Sequence, residues 1–301
     1  MKDQKVSYKQ LKERLNWSLV QKVDHSLYII DSFIGQFPNC VTTFSGGLDS
    51  LVLLFLVRMI DKDRKAIYVN TTNEFREIVD FVKTKDNVEI LFPKMNFKTV
   101  LEKIGFPLVS KEQARAIWEA KHTKSEKMRE LRLGNSRYAI SKKWRFLIDQ
   151  PFDISHRCCD ILKKNPMSPF KNCGVLIGTK ASDSSLRKVQ YLQNGCINIH
   201  SKSATPLSIW TREDVMKFIR QYHIPYCSIY DKGEKTTGCV YCGFGCQYDM
   251  TRFHRAELRE PKRYKVIMSI RNHGITYYEA IRIVNGRTEK GMFDYIKNDY
   301  N

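Results

Sequence analysis

The sequence predicts an α/β fold, a doubly wound and mostly parallel sheet covered by helices on both faces. Three observations carry that prediction. Short runs rich in β-branched residues alternate with longer apolar-periodic runs over the first hundred residues. One such run, Asn39 to Phe44, is cut off by Ser45-Gly46-Gly47 and followed by an apolar run of helical length. The longest unbroken apolar stretch, Leu51 to Val57, is far shorter than the ~20 residues that cross a bilayer, so the apolar runs read as buried elements and not as membrane spans.

The elements follow in order. Leu15, Leu19, Val20, Val23, Leu27, Ile30 and Phe33 recur at helical spacing, so Leu11 to Phe37 reads as one or two helices. Asn39 to Phe44 is a buried strand and Asp49 to Ile60 a buried helix. Ala66 to Asn70 reads as a second strand, Glu74 to Lys83 as a helix and Val88 to Phe92 as a third strand. Gly174 to Ile177 is a later strand. Between them, residues 111–145 break the rhythm, with 11 Lys or Arg, 4 Glu and only Trp118 and Trp144 as anchors. That stretch is expected as exposed helices with a loop near Gly134-Asn135-Ser136, an insertion or lid beside the sheet.

Of the 301 residues, 51 are Lys or Arg and 32 are Asp or Glu, a net charge of +19. A hydrophobic content of 42% suffices for a packed core. The run Met1-Lys-Asp-Gln-Lys opens no apolar signal region, so a cytoplasmic protein with no membrane attachment is expected. The balance is +3 over residues 1–100, +10 over 101–200 and +6 over 201–301. An anionic partner, nucleotide or nucleic acid, fits this excess, although any single charge run also serves as a solvated face.

Val41-Thr-Thr-Phe-Ser45-Gly46-Gly47-Leu48-Asp49-Ser50 is a strand, a glycine pair between hydroxyl residues, and a helix start. Glycines let the backbone approach a ligand closely, successive N–H groups make an anion-binding concavity, and the helix adds its positive end. The same pattern also builds an ordinary strand–turn–helix corner capped by Ser or Asp. Lys180 and Arg187 flank hydroxyl residues after the later strand and suit a phosphate or sulfate, or else a solvated surface. Trp210 reads as a core anchor, Thr211 or Ser208 as a helix cap, and Asp214 as a first-turn acid.

Nine cysteines lie at 40, 158, 159, 173, 196, 227, 239, 242 and 246. Reduced thiols are expected in a cytoplasm, and those at 40, 173, 196 and 227 read as small core residues. Cys158-Cys159 and Cys239-x-x-Cys242, with Cys246 close behind, form a cluster suited to a metal. Iron–sulfur ligation and a zinc site on Cys239, Cys242, Cys246 and His254 both remain open.

Ser45-Gly-Gly-Leu-Asp-Ser50 resembles the SGGxDS signature of the PP-loop ATP-pyrophosphatase superfamily. Thr71-Thr72-Asn73, Gly178-Thr-Lys180 through Arg187, Pro206-Leu-Ser-Ile-Trp210-Thr-Arg-Glu-Asp214 and Tyr230-Asp231-Lys-Gly233 are similar, in order, to further motifs of the phosphoadenosine phosphosulfate (PAPS) reductase-like family. The Cys-Cys…Cys-x-x-Cys layout resembles that family's iron–sulfur branch. The resemblance covers about residues 25–250. It implies a nucleotide-binding domain over 1–235, with a basic helical insertion at about 111–150, and a cysteine-rich helical segment over 236–301. It implies that Ser45, Gly46, Gly47, Asp49, Ser50, Thr71, Thr72, Lys180 and Arg187 hold ATP or a PAPS-type adenine nucleotide with Mg²⁺. It also implies that Cys158, Cys159, Cys239 and Cys242 hold a [4Fe–4S] cluster, zinc being the alternative. Ser45, Asp49 and Cys246 are the catalytic candidates.

The chain departs from the reductases in three places. It has no cysteine after Cys246, where they carry a C-terminal nucleophile, and Gly291 to Asn301 offers no substitute. Leu48 stands where they usually have Lys, and Asn70 and Asn73 depart from the second nucleotide loop. The expected function is therefore ATP-dependent adenylation and sulfur transfer to a nucleic acid, DNA or tRNA held by 111–145, with a sulfur donor protein. A sulfonucleotide reductase and a non-catalytic nucleotide- or nucleic-acid-binding regulator are the alternatives.

Overall fold

The computed structural model describes residues 5–286. The start of the chain, read for a leader, and the run from Gly291, read for a nucleophile, lie outside the described residues. The chain separates into two compact units. The first comprises Met1–Asn70, Glu74–Leu91 and Met167–Thr237, and the second Thr71–Asn73, Phe92–Pro166 and Gly238–Asn301. The 111–150 stretch, expected as an insertion in the nucleotide-binding part, groups instead with the C-terminal cysteines.

In the first unit α1 (Tyr8–Leu15) and α2 (Leu19–Gln36) each open on a capping box, Ser7 with Gln10 and Ser18 with Gln21. Two caps at this spacing make the first apolar run two helices. β1 (Val41–Thr43), α3 (Leu48–Ile60), β2 (Ala66–Val69), α4 (Arg76–Lys83) and β3 (Val88–Leu91) follow. α3 is buried on nearly every side, at Leu48, Leu51, Val52, Leu53, Leu54, Leu56 and Val57, because it lies between the sheet and other helices. Its sequence accordingly lacks a polar face.

The chain then enters the second unit with α5 (Phe97–Lys103), α6 (Lys111–His122) and α7 (Glu126–Leu133). α6 buries Ala114, Ala116, Ile117 and Ala120, whereas none of α7 is buried, so the expectation of exposed helices holds for α7 alone. A 3₁₀ turn, Lys142–Leu147, buries Trp144 and Leu147. Back in the first unit come β4 (Val175–Leu176), α8 (Ser185–Asn194), β5 (Ile197–Asn198), β6 (Ser203–Ala204) and α9 (Arg212–Gln221). The second unit closes with α10 (Thr251–Arg259), α11 (Pro261–Met268), the hairpin strands β7 (Arg271–Asn272) and β8 (Ile275–Thr276), and α12 (Tyr277–Asn285).

The six strands of the first unit run β3-β2-β1-β4-β6-β5, all parallel except β5. This is the α/β parallel architecture the alternation predicts. β1 sits between β2 and β4, pairing Thr42 with Ala66 and Val41 with Val175. The order therefore switches direction at β1, and loops leaving the carboxyl ends of β1 and β4 flank a crevice of the kind where such sheets bind ligands. No helix among the described residues is long and apolar enough to cross a membrane.

Candidate functional site

The loop after β1 is built by its own hydroxyls. Ser45 N donates to Ser50 Oγ at 3.1 Å, the two serine hydroxyls lie 3.0 Å apart, and Ser50 Oγ donates to Gly47 O at 3.0 Å. Gly47 N points back to Ser45 Oγ at 3.4 Å, and Leu48 N donates to Tyr230 Oη at 3.2 Å. Gly46 takes φ +72°, where a Cβ would also meet Ile78 at 2.9 Å. A Cβ on Gly178, in the loop after β4, would press on the Asp49 carbonyl at 3.0 Å, so glycine there lets the two loops touch. The amides of Ser45, Gly47 and Leu48 are thus met by hydroxyls of Ser50, Ser45 and Tyr230 at a helix start, a place that favours an anion. Tyr230 reaches the loop through its hydroxyl. The sequence placed it in a motif but did not assign it to the site.

Lys180 is only 5% exposed at its side chain and is shared by two carboxylates, Asp49 and, at 3.1 Å, Asp183. Asp183 also holds Arg187 and accepts from Lys180 N at 3.0 Å. Burial pushes the Asp183 carboxyl up, but these bonds and charges outweigh it and hold it below its ordinary value. The structure thus brings Ser45, Gly46, Gly47, Asp49, Ser50, Lys180 and Arg187 into one unit, with both cations matched by acids. Lys180 and Arg187 also line a cavity of about 310 Å³ whose other walls are mostly hydroxyl and amide, including Gln190, Asn194, Ser203 and Thr205.

Thr71 and Thr72 belong to the second unit. Thr71 Oγ1 lies 3.7 Å from Cys239 Sγ. Thr72, at φ +64°, accepts from Phe97 N at 2.8 Å through Oγ1 and from Arg263 at 3.1 Å through its carbonyl. Asn73 accepts from Val240 N at 2.7 Å through its carbonyl and from Tyr241 N at 3.1 Å through its side chain. The residue that departs from the nucleotide-loop pattern therefore holds the Cys239–Cys242 turn.

All five clustered cysteines fall in this second unit. Cys158 and Cys159 precede a π-helical turn, Asp160–Lys164, a local widening frequent at functional sites. Gly243 has no room for a Cβ, which would meet Pro107 O at 2.6 Å and Tyr277 Oη at 2.5 Å. Gly245 takes φ +80° and donates to Val109 O at 2.7 Å. Burial, then the neighbouring Cys239, Cys159 and Cys242, raise the Cys158 thiol. Burial and then Cys239 push Cys242 up to about 11. The thiols of Cys158 and Cys242 are thus raised by burial and by the cysteines beside them, an electrostatic setting that a bound cation relieves. No three His, Cys, Asp or Glu side chains among the described residues lie close enough to hold a metal ion.

Cys246 is fully buried, and burial pushes its thiol up to about 12. A protonated, enclosed thiol runs against the expectation that it acts as a nucleophile. Trp210 is a core anchor whose Nε1 donates to Ser26 Oγ at 2.9 Å. Thr211, not Ser208, caps α9 in a reciprocal box with Asp214. Neither Thr211 nor Asp214 is placed at the phosphate loop by any of these bonds.

Among curated relatives, the adenosine 5′-phosphosulfate reductase of Staphylococcus epidermidis is 23% identical over 211 residues, covering 68% of this chain and 70% of its own length. An uncharacterized protein of Methanocaldococcus jannaschii is 25% identical over 243 residues, covering 76% of this chain, which spans 48% of that protein. A crystal structure of phosphoadenylyl-sulfate (PAPS) reductase from Candida auris in complex with phosphate aligns with a TM-score of 0.43 and 18% identity, covering 78% of this chain and 96% of that one. The family model of the phosphoadenosine phosphosulfate reductase domain matches residues 39–243, from the strand before the phosphate loop through the Cys-x-x-Cys turn, and the chain belongs to that family.

Proposed function

We propose that the chain is an adenine-nucleotide-dependent enzyme of sulfur metabolism that adenylates an oxygen of a nucleic acid and lets sulfur displace AMP. The observation that carries this reading is the Ser45–Ser50 loop after β1, a Gly-Gly turn at a helix start whose N–H groups are met by the hydroxyls of Ser50, Ser45 and Tyr230. In this reaction the acceptor oxygen bonds to the α-phosphorus of ATP while the α–β bridging bond breaks and pyrophosphate leaves. Ser45 and the loop amides stabilise the departing charge, and Lys180 turns from Asp49 toward phosphate. Asp49, the one carboxylate of the loop, is the group offered to Mg²⁺, which spreads phosphate charge when bound. Sulfur from a donor protein then replaces AMP on the acceptor.

Cys158, Cys159, Cys239 and Cys242 are the residues proposed to hold a [4Fe–4S] cluster, which supplies redox chemistry when bound, with zinc as the alternative. The support is the place of all four in the second unit, with Cys158 and Cys242 raised by burial and by the neighbouring cysteines. Anaerobically purified protein is expected to carry iron and a visible absorbance that Cys158→Ser and Cys239→Ser abolish and Cys246→Ser retains. A colourless, zinc-only protein overturns the cluster.

The names of the relatives favour a second reading, reduction of adenylyl sulfate or PAPS by a thiol. That reaction needs a thiolate to attack sulfur, and Cys246, the last cysteine of the chain, is enclosed. One experiment separates the readings. Pyrophosphate release from ATP, stimulated by RNA or DNA, supports the first, and sulfite release supports the second. If neither product forms and nucleotide binding survives Ser45→Ala, both catalytic readings fall and a binding regulator remains.

A further inference from the structure

The 111–145 stretch contains two kinds of cation. Lys111, Arg115, Lys121 and Arg132 are held in ion pairs, with Asp160, Glu119, Asp153 and Glu119 respectively. Lys124, Lys127, Arg129, Arg137, Lys142 and Lys143 are exposed. The segment that carries them is ordered by backbone bonds. Arg132 donates to Tyr138 O at 2.7 Å, Ile140 N to Arg132 O at 2.7 Å, and Arg145 to Gly134 O at 3.0 Å, folding the loop back on the end of α7.

Two exposed rings lie on this basic surface. Tyr138 is 46% exposed with the Arg137 guanidinium 4.6 Å from its centroid. Tyr248 is 79% exposed, fixed by a turn in which its N–H donates to Gly245 O at 2.9 Å. Lys143 lies 4.9 Å from the buried Trp144 ring and 5.9 Å from Tyr248, linking the basic segment to the turn that follows Cys246. Each exposed ring thus has a cation beside it, in a segment where exposed cations greatly outnumber acids. A duplex presents its charged backbone and the edges of its bases but not their faces, which are stacked on one another. An unpaired strand offers both phosphates for the cations and base faces for the rings.

We infer that this face of the second unit binds an unpaired polynucleotide strand, with Lys124, Lys127, Lys142 and Lys143 on phosphates and Tyr138 and Tyr248 stacked on bases. The inference names the acceptor class of the proposed reaction and rests on that reading. The test measures binding of the full chain to a labelled oligouridylate and to a hairpin duplex of the same nucleotide number, across a salt series. The strand is expected to bind more tightly than the duplex. Tyr138→Ala and Tyr248→Ala each weaken strand binding by roughly 5- to 100-fold, leave duplex binding unchanged, and are rescued by Phe. The double variant Lys142→Glu, Lys143→Glu weakens both probes and shallows the strand's log–log salt slope by about 0.7 for each phosphate no longer held. Equal or tighter duplex binding, Tyr variants that bind the strand as the parent does, or no strand binding at low salt each overturn the inference. Pyrophosphate release stimulated only by duplex would leave the proposed reaction standing without this surface. Tyrosine-dependent strand binding with no pyrophosphate release would leave the surface without the reaction.

Discussion

Gly47 shows how tightly the Ser45–Ser50 loop is built. A Cβ there would meet Thr237 Oγ1 at 2.7 Å and Ser45 Oγ and Tyr230 Oη at 3.3 Å. Gly47→Ala is expected to weaken adenine-nucleotide binding at least tenfold, read by calorimetry, while the far-ultraviolet circular dichroism stays that of the parent. Unchanged affinity would show that the loop amides do not receive the nucleotide. Both glycines were legible in the sequence because strand, Gly-Gly and helix follow one another locally. Asn73 was not. It reads as a departure from a nucleotide loop, and its role appears only when Tyr241, far along the chain, folds against it. Asn73→Ala leaves the Tyr241 N–H without that acceptor, at a cost of about 1–3 kcal/mol. We expect a matching drop in urea stability and faster thiol labelling at Cys239 and Cys242, and neither change would indicate that the turn holds without Asn73.

Among the helices, α2 and α9 are joined by an ion pair, Lys22 Nζ to Asp214 Oδ2 at 2.6 Å, with side-chain exposures of 2% and 13%. Burial alone would raise the Asp214 carboxyl, but the bonds from Lys22 and Thr211 and the Lys22 charge outweigh it and hold the carboxyl below its ordinary value. A carboxyl lowered on folding adds stability above its unfolded pKa, about 3.9 for Asp, and loses it as pH falls through the folded value. Lys22→Met strands Asp214 and is expected to cost about 3 kcal/mol near neutrality, measured by urea unfolding. That variant should also lack the parent's loss of stability through this carboxyl on the acid side. An equally steep acid limb would assign the dependence to other groups. The helices were readable because their apolar spacing repeats over several turns. β5 and β6 were not, because two-residue strands carry no period and exist only through pairing with each other and with β4.

Across the full chain, the phosphate loop, Lys180 and Arg187 fall in one unit and all five clustered cysteines in the other. On the proposed reading of the cysteines and of the loop, stripping iron with a chelator under reducing conditions lowers the melting temperature of the second unit and leaves the stabilisation of the first by ATP intact, as two transitions in scanning calorimetry. Loss of the ATP effect with the metal would contradict this separation. The charge divides in a related way. Lys180 and Arg187 are matched by Asp49 and Asp183, so they add nothing to the +19, whereas residues 111–145 carry 11 Lys or Arg against 4 Glu. The parallel α/β class, the Gly-Gly turn after β1 and the basic segment could be read from the amino-acid order, because each is written in runs of residues with a local physical signature. Three things came only with the folded chain: which cations are held in ion pairs, that Thr71 and Asn73 contact the Cys239–Cys242 turn, and that Cys246 is enclosed. Pairing and burial depend on residues brought together from distant parts of the chain, which no local pattern records.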